Sequence, residues 1–380
     1  MRIATLTNSQ VSELACQIDN QAVLLSKSSS QAKKYIAATG SRFQPSTRDL
    51  AELASVVERN VQRRAIRLPW LFSKPVQALY KRIKLKQAQT QLIYFATEMQ
   101  QQNATHALIW NGSLAPFGII ALAAKALGLP CTFVENGYFP GTIQVDNQGI
   151  NANNSMPQHA AFYQRLAIDW QSLAWPEKLN KRASKNKAGT SNIPFTAKQY
   201  IFVPMQVPSD MQVMELSPWI KSMAAFYNVL LRAATELPNI NFVIKEHPSF
   251  KRSIQRNVTK HPQIVFANQG DTEQLIENAS AVITLNSTVG LEALAKNIPV
   301  IQLGLSCYGI TGLVHKCENS DALIELLQHK ETLNQINHDL LSQYIKYLYN
   351  IFLLRHNDSL AEQVKARMLG TDKHNIFLEN

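Results

Sequence analysis

The chain lacks any CxxC pair: its four cysteines, Cys16, Cys131, Cys307 and Cys317, lie far apart. Neither a disulfide framework nor a zinc site is indicated, and four reduced, mostly buried thiols are expected. No stretch approaches the roughly 18 to 20 uninterrupted apolar residues needed for a membrane-spanning helix. The start, MRIATLTNSQ, has no apolar run of the signal-peptide kind. A cytoplasmic protein is expected, free or peripheral on the inner face of the membrane. Neither a GxxxxGKS/T loop nor a convincing GxGxxG occurs, which disfavours an ATPase or a nicotinamide enzyme. GxSxG and HExxH are missing too.

Acidic residues are absent from Arg59 to Lys86, where nine basic ones stand: Arg59, Arg63, Arg64, Arg67, Lys74, Lys81, Arg82, Lys84 and Lys86. That stretch supplies nine of the eleven excess positive charges and is interleaved with Ile66, Leu68, Trp70, Leu71, Phe72, Leu79 and Tyr80. The mixture suits a basic helix against an anionic membrane surface or a polyanion. A solvated helix face is the plain alternative, and nucleic acid is not expected as a partner.

What the chain has in quantity is apolar side chains, 46% against 17% charged, across 380 residues. Single cores stop growing at about 250 to 300 residues, so two domains are expected. Short β-branched runs alternate with helical stretches, the pattern of parallel strands with crossover helices. In the first half the strands read Arg2 to Leu6, Gln21 to Leu25, Ala107 to Trp110 and Cys131 to Glu135, with a helix over Ala115 to Leu127. In the second they read Tyr200 to Pro204, Asn241 to Lys245, Ile264 to Ala267, Ala281 to Leu285 and Val300 to Leu303. Helices are expected over Pro218 to Glu236, Thr272 to Asn278, Val289 to Lys296 and Ser320 to Leu327. Pro176 to Pro194 loses periodicity and reads as a linker. The expected division is 1–175, with a basic helical insertion at 46–101, a linker at 176–197, a second α/β unit at 198–330 and helices over 331–380.

In doubly wound sheets ligands bind beyond the carboxyl ends of strands. Four such loops carry chemistry. Glu135, followed by Asn-Gly and Pro-Gly turn signals, can move a proton at a cleft edge or simply cap a turn. Asp210, in the loop that Gln206 opens, can cap the next helix or act as a nucleophile. Lys245 and His247, two apart in extended chain and ahead of Pro248, offer two cationic or donor groups to a phosphate or carboxylate. Asn286, Ser287 and Thr288 begin a helix whose free N–H groups and dipole suit a phosphate, although ordinary capping has the same geometry. One turn on, Glu292 can accept from ribose hydroxyls.

Together, FVENGYFPGTIQVDNQGIN, VPMQVPSD, IKEHP and ITLNSTVGLEALAKNIPVIQLG resemble the capsular polysaccharide synthesis family, in order over about residues 105 to 315. Members of the KpsC, KpsS and WbbB type are retaining β-Kdo glycosyltransferases. The resemblance implies a GT-B-like fold, two Rossmann-type domains facing a central cleft, with C-terminal helices that cross back to the first domain. It implies CMP-Kdo as donor substrate, no cofactor, no metal, and a glycan or lipid-linked acceptor. By the same resemblance Asp210 is the nucleophile and Glu135 the acid/base, while His247 and Lys245 are ligands of the donor's phosphate or carboxylate. Asn286, Ser287 and Thr288 form the nucleotide phosphate site, with Gln206 and Glu292 also on the donor side. Val145 precedes Asp146 here, a spacing that leaves the role of Asp146 open. Another GT-B sugar-nucleotide transferase or epimerase, and a non-enzymatic glycan- or lipid-binding protein, are the competing readings.

Overall fold

The computed structural model describes residues 1–176, 193–250 and 252–379. The linker expected at 176–197 falls largely outside them; only Pro176 and residues 193–197 are within. The fold is mixed α/β and contains two six-stranded sheets. By contacts the chain divides into one unit of Met1–Gly137, Gly141–Ser155 and Ile351–Asn380 and another of Tyr138–Pro140 and Met156–Asn350.

In the first unit, β1 (Ile3–Leu6), β2 (Val23–Leu25), β3 (His106–Trp110) and β4 (Cys131–Asn136) are parallel, with β1 between β2 and β3. In β1, β3 and β4 the side chains alternate between two buried faces, as the two-residue period of a strand requires, whereas β2 at the edge buries Val23 and Leu25 and exposes Leu24. Ala4, Leu6, Ala107, Ile109 and Phe133 enter the core beneath helices Thr47–Arg67, Lys74–Gln101 and Phe117–Ala126. Ile3, Leu108 and Val134 enter the opposite core with Val11, Val364 and Met368. The sequence reading placed no strand at β5 (Thr142–Asp146), which pairs antiparallel with β4. A turn of only five residues joins them, too short for a crossover, so the pair must be a hairpin. Gly137 permits its closure: a Cβ there would lie 2.0 Å from Thr142 Oγ1.

The second unit holds β6 (Ile201–Pro204), β7 (Phe242–Lys245), β8 (Ile264–Phe266), β9 (Ala281–Thr284), β10 (Val300–Gln302) and β11 (His315–Lys316), every pair parallel, in the order β11-β10-β9-β6-β7-β8. Helix Met223–Glu236 begins five residues later than the reading from Pro218, because Ser222 is the cap and accepts from the Ala225 N–H. Residues 156–175, read from sequence as part of the first domain, belong to this unit. The cause is aromatic packing: Phe162 and Tyr163 stand edge-on to Tyr347, each at 5.5 Å, and Tyr163 also to Tyr344.

The C-terminal residues Ile351–Asn380 belong to the first unit. β12 (Leu354–Arg355) pairs antiparallel with β5 at the sheet edge. Arg367, buried on helix Leu360–Met368, donates to the carbonyls of Val145, Ile351 and Phe352 and pairs with Asp372. Nearby, His374 is fully buried, its Nε2 2.7 Å from Ser155 Oγ.

Burial, helped by the charge of Arg367 and opposed by Asp372, pushes the His374 imidazole down to about 3. It is neutral in the folded chain. An unfolded His takes up a proton below about 6.5, so between pH 6.5 and 3 the unfolded state binds more protons and stability is lost as the pH is lowered. Asp372, which burial raises but the Arg367 charge and the Asn375 amide hold below its ordinary value of 3.8, loses its contribution only as the pH falls through about 4 and lower, beneath the range from pH 7 to 5. From pH 7 to 5 the native chain is expected to lose on the order of 2 kcal/mol more than His374→Gln. Thermal melts across that range test it; parallel losses would contradict it. His106, also lowered by burial, is common to both proteins and cancels in the difference.

Candidate functional site

The first unit presents Glu135 near the carboxyl end of β4, half-buried. Its two oxygens are held separately. Asn111 Nδ2 donates to Oε2 at 2.6 Å, and the Asn136 N–H and side-chain amide donate to Oε1 at 2.8 and 3.2 Å. Asn111, at φ +60° just after β3, has its amide fixed by a second bond, since Oδ1 accepts from the Ser113 N–H at 3.1 Å. The sequence reading missed this residue. The signal was the Asn-Gly pair closing a strand that neighbours the one bearing Glu135. Every hydrogen bond named is donated to a carboxylate oxygen and fixes the orientation of the group.

Gln144 extends the arrangement. Its Nε2 donates to the Asn136 carbonyl at 2.9 Å and its Oε1 accepts from the Asn151 N–H at 3.1 Å. Asp146 is buried and organises the following loop: Oδ1 accepts from the N–H groups of Gln148 and Gly149, Oδ2 from the Ser155 N–H and hydroxyl. Its role is architectural. Elsewhere in this unit, beyond the carboxyl ends of β1 and β2, lies an open hollow of about 690 Å³ with Asn8, Ser26, Lys27 and Gln31 on its walls.

In the second unit the loops after β6 and β9 are joined. Asn286 is buried, and its side-chain amide is fully committed. Nδ2 donates to the carbonyls of Gln212 and Leu216 at 2.8 and 3.1 Å, and Oδ1 accepts from Gln206 Nε2 at 2.9 Å. The Gln206 Oε1 accepts in turn from the Asn286 N–H at 3.4 Å. These two amides, expected on the donor side, clip one strand-end loop to the other.

Asp210 sits within the clipped segment. It is exposed and N-caps the four-residue helix Met211–Met214, accepting from the Gln212 N–H at 3.0 Å. Of the two meanings considered for Asp210 the cap is present, and it uses one of the two carboxylate oxygens. Ser287 caps helix Thr288–Ala295 through the Val289 N–H. Tyr308, a second residue missed from sequence, donates to the Ser287 carbonyl at 2.5 Å. Its ring lies against the first turn so closely that a Cβ at Gly290 would come 2.4 Å from the hydroxyl. A glycine inside a helix was the available sign.

Lys245 and His247 diverge from the simple alternation argument, since β7 ends at Lys245. The Lys245 ammonium donates to the Gly270 carbonyl and Thr272 Oγ1 at 2.6 and 2.8 Å. His247 Nδ1 lies 2.8 Å from Ser249 Oγ, and the imidazole shares a small hollow with Gln206, Pro208, Glu246 and Arg252. Glu292, half-buried, lies one turn along helix Thr288–Ala295.

A family model for capsule polysaccharide biosynthesis proteins matches residues 106–193 and 186–352. Protein FixF of Sinorhizobium fredii is 42% identical over 299 residues, 78% of this chain and 72% of that one. The capsule polysaccharide export protein KpsS of Escherichia coli is 23% identical over 254 residues, 51% of this chain and 65% of that one. Among solved structures, the β-Kdo 2,4 transferase KpsC of Thermosulfurimonas dismutans aligns over 70% of this chain and 87% of its own, with a TM-score of 0.45 and 16% identity. The matched region contains Glu135, the clipped loops, Lys245 and His247 and the helix that starts at Thr288, and the chain belongs to the capsule polysaccharide biosynthesis protein family.

Proposed function

We propose that the protein is a retaining glycosyltransferase, acting in the cytoplasm, that moves Kdo from CMP-Kdo to a glycan or lipid-linked acceptor. The observation that carries the reading is the Asn286 clip, which fixes the Asp210 segment to the loop that opens helix Thr288–Ala295. A carboxylate and a helix N-terminus are thereby held at the carboxyl ends of adjacent parallel strands, β6 and β9. The pair suits a reaction in which negative charge leaves as a nucleophile arrives.

The Asp210 carboxylate attacks the anomeric carbon of Kdo, C2, on the face opposite the cytidylate. The C2–O bond to phosphate breaks, its electron pair leaving with CMP, and a glycosyl ester forms on Asp210. N–H groups at the start of helix Thr288–Ala295, the charge of Lys245 and the His247 imidazole stabilise the departing phosphate, which makes a metal unnecessary. Glu135 then takes the proton of the acceptor hydroxyl as its oxygen attacks C2 and releases Asp210. Two inversions give retention. CMP needs no protonation to leave, so Glu135 is needed for the second step alone.

A sharp expectation follows for Glu135→Gln. With CMP-Kdo it should release a single burst of CMP and accumulate a Kdo-sized mass on the Asp210 peptide, while transfer falls on the order of 100- to 10,000-fold. Intact and peptide mass spectrometry, with a panel of sugar nucleotides and acceptors in parallel, provide the test. Turnover with another sugar nucleotide and none with CMP-Kdo would replace the donor. Transfer without any adduct in this variant would replace the double displacement by a same-face mechanism.

A further inference from the structure

Helices Thr47–Arg67 and Lys74–Gln101 form a hairpin whose tip is apolar on the outside. Five of the eleven large apolar side chains exposed among the described residues fall within it: Trp70, Leu71, Val76, Leu79 and Ile83. Trp70 is 71% exposed, Leu71 57% and Leu79 62%. Val76, Leu79 and Ile83 follow the spacing that puts residues on one face of a helix, so they form a single outward stripe running down from the tip. A soluble surface rarely gathers its apolar residues in this way.

The tip is also built to hold that shape. Phe72 is buried beneath it, edge-on to Tyr80 at 5.3 Å. The Arg64 guanidinium lies 5.9 and 5.5 Å from the centres of those two rings. Gln77 Nε2 donates to the Phe72 carbonyl at 2.7 Å, and the N–H groups of Leu71 and Phe72 both reach the Leu68 carbonyl. One aromatic ring is therefore pulled in and its neighbours Trp70 and Leu71 are turned out. The chain from Arg59 to Lys86 holds nine basic residues and no acidic one; Lys81 pairs with Glu58 and Arg59 donates to the Ser113 carbonyl, while Arg82 and Lys86 stand beside the apolar stripe.

We propose that the hairpin tip is a membrane wedge: Trp70, Leu71, Val76, Leu79 and Ile83 enter the acyl region of an anionic bilayer while the surrounding lysines and arginines meet lipid phosphates. Charge complementarity selects this occupant. Phosphates on a nucleic acid would satisfy the cations but leave five apolar side chains in water, whereas a bilayer supplies an apolar layer directly beneath an anionic one. The aromatic at the very tip fits the boundary between the two. No helix among the described residues is long and apolar enough to span a membrane, and the wedge needs none. The inference is independent of donor and reaction.

Vesicles of phosphatidylcholine and phosphatidylglycerol in equal parts, and of phosphatidylcholine alone, serve as probes for the full chain. It should sediment with the anionic vesicles and far less with the neutral ones. The triple variant Trp70→Ser, Leu71→Ser, Leu79→Ser should bind the anionic vesicles at least about tenfold more weakly and lose what remains in high salt, where charge is screened. These side chains are exposed, so its melting temperature should match that of the native chain. Acyl-brominated phosphatidylglycerol should quench the native fluorescence and leave Trp70→Phe largely unquenched, a readout that requires no destabilising change. Absence of binding to anionic vesicles, equal binding by the triple variant, or native fluorescence untouched by the brominated chains would each overturn the wedge.

Discussion

Asp210→Asn is expected to lower sugar transfer at least about 1,000-fold while leaving the melting temperature unchanged. The substitution separates the two jobs of this side chain. Asparagine caps helices as well as aspartate does, and its Oδ1 can keep the bond from the Gln212 N–H, 3.0 Å in the native chain. It cannot form the glycosyl ester. Asp210→Ala removes both functions, but loss of the cap costs only about 1 kcal/mol. A 1,000-fold drop corresponds to about 4 kcal/mol of barrier, so the cap cannot account for it. Rates for Asp210→Asn, Asp210→Ser and Asp210→Ala, measured beside their thermal melts, decide the matter. If Asp210→Asn keeps a tenth of native transfer or more, the carboxylate is a cap and the nucleophile must be sought elsewhere.

How far such a site can be read from sequence depends on how local its causes are. Most of the parallel strands were legible because they are short apolar, β-branched runs, as in Phe202-Val203 and Val282-Ile283, whereas β11, two polar residues at the sheet edge, was not. The places of Glu135, Asp210 and Ser287 at element ends were legible because each end is marked in the sequence. β5 was not, because Thr142, Gln144 and Asp146 interrupt its apolar pattern and are nonetheless buried, each engaged with partners the sequence does not place beside it. β12 is two residues long and finds its partner, Ile143, only through the return of the chain from residue 351. Asn286 shows the sharper limit. Its place at a helix start suggested a ligand, and only the positions of Gln206, Gln212 and Leu216 reveal that every polar atom of its amide is used within the protein. A residue type at a strand end thus marks a place where a ligand could bind, and the hydrogen bonds decide whether its polar atoms are left for one or are spent within the protein.

Asp146 illustrates the second case, and Asp146→Ala carries the largest expected loss of stability. Its carboxylate is fully buried, and it accepts from three backbone N–H groups, of Gln148, Gly149 and Ser155, at 2.8, 3.0 and 3.0 Å, and from the Ser155 hydroxyl. Alanine leaves those donors without an acceptor where water does not replace it, each at about 1 to 3 kcal/mol before relaxation. Partial rearrangement of the loop at 147–155 brings the expected loss to roughly 3 to 5 kcal/mol, or on the order of 10 °C in melting temperature. Asp146→Asn should be damaging too, since its amide nitrogen would face donors that need an oxygen. The damage should also reach the chemistry. With the loop loosened, the Asn151 N–H leaves Gln144, and Gln144 no longer steadies the Asn136 carbonyl next to Glu135. Transfer by the folded fraction should therefore fall while adduct formation on Asp210 continues, the pattern expected of Glu135→Gln in weaker form. Calorimetry and adduct mass spectrometry on Asp146→Ala measure both halves; a melting shift under about 3 °C would show that the buried carboxylate does not organise this loop.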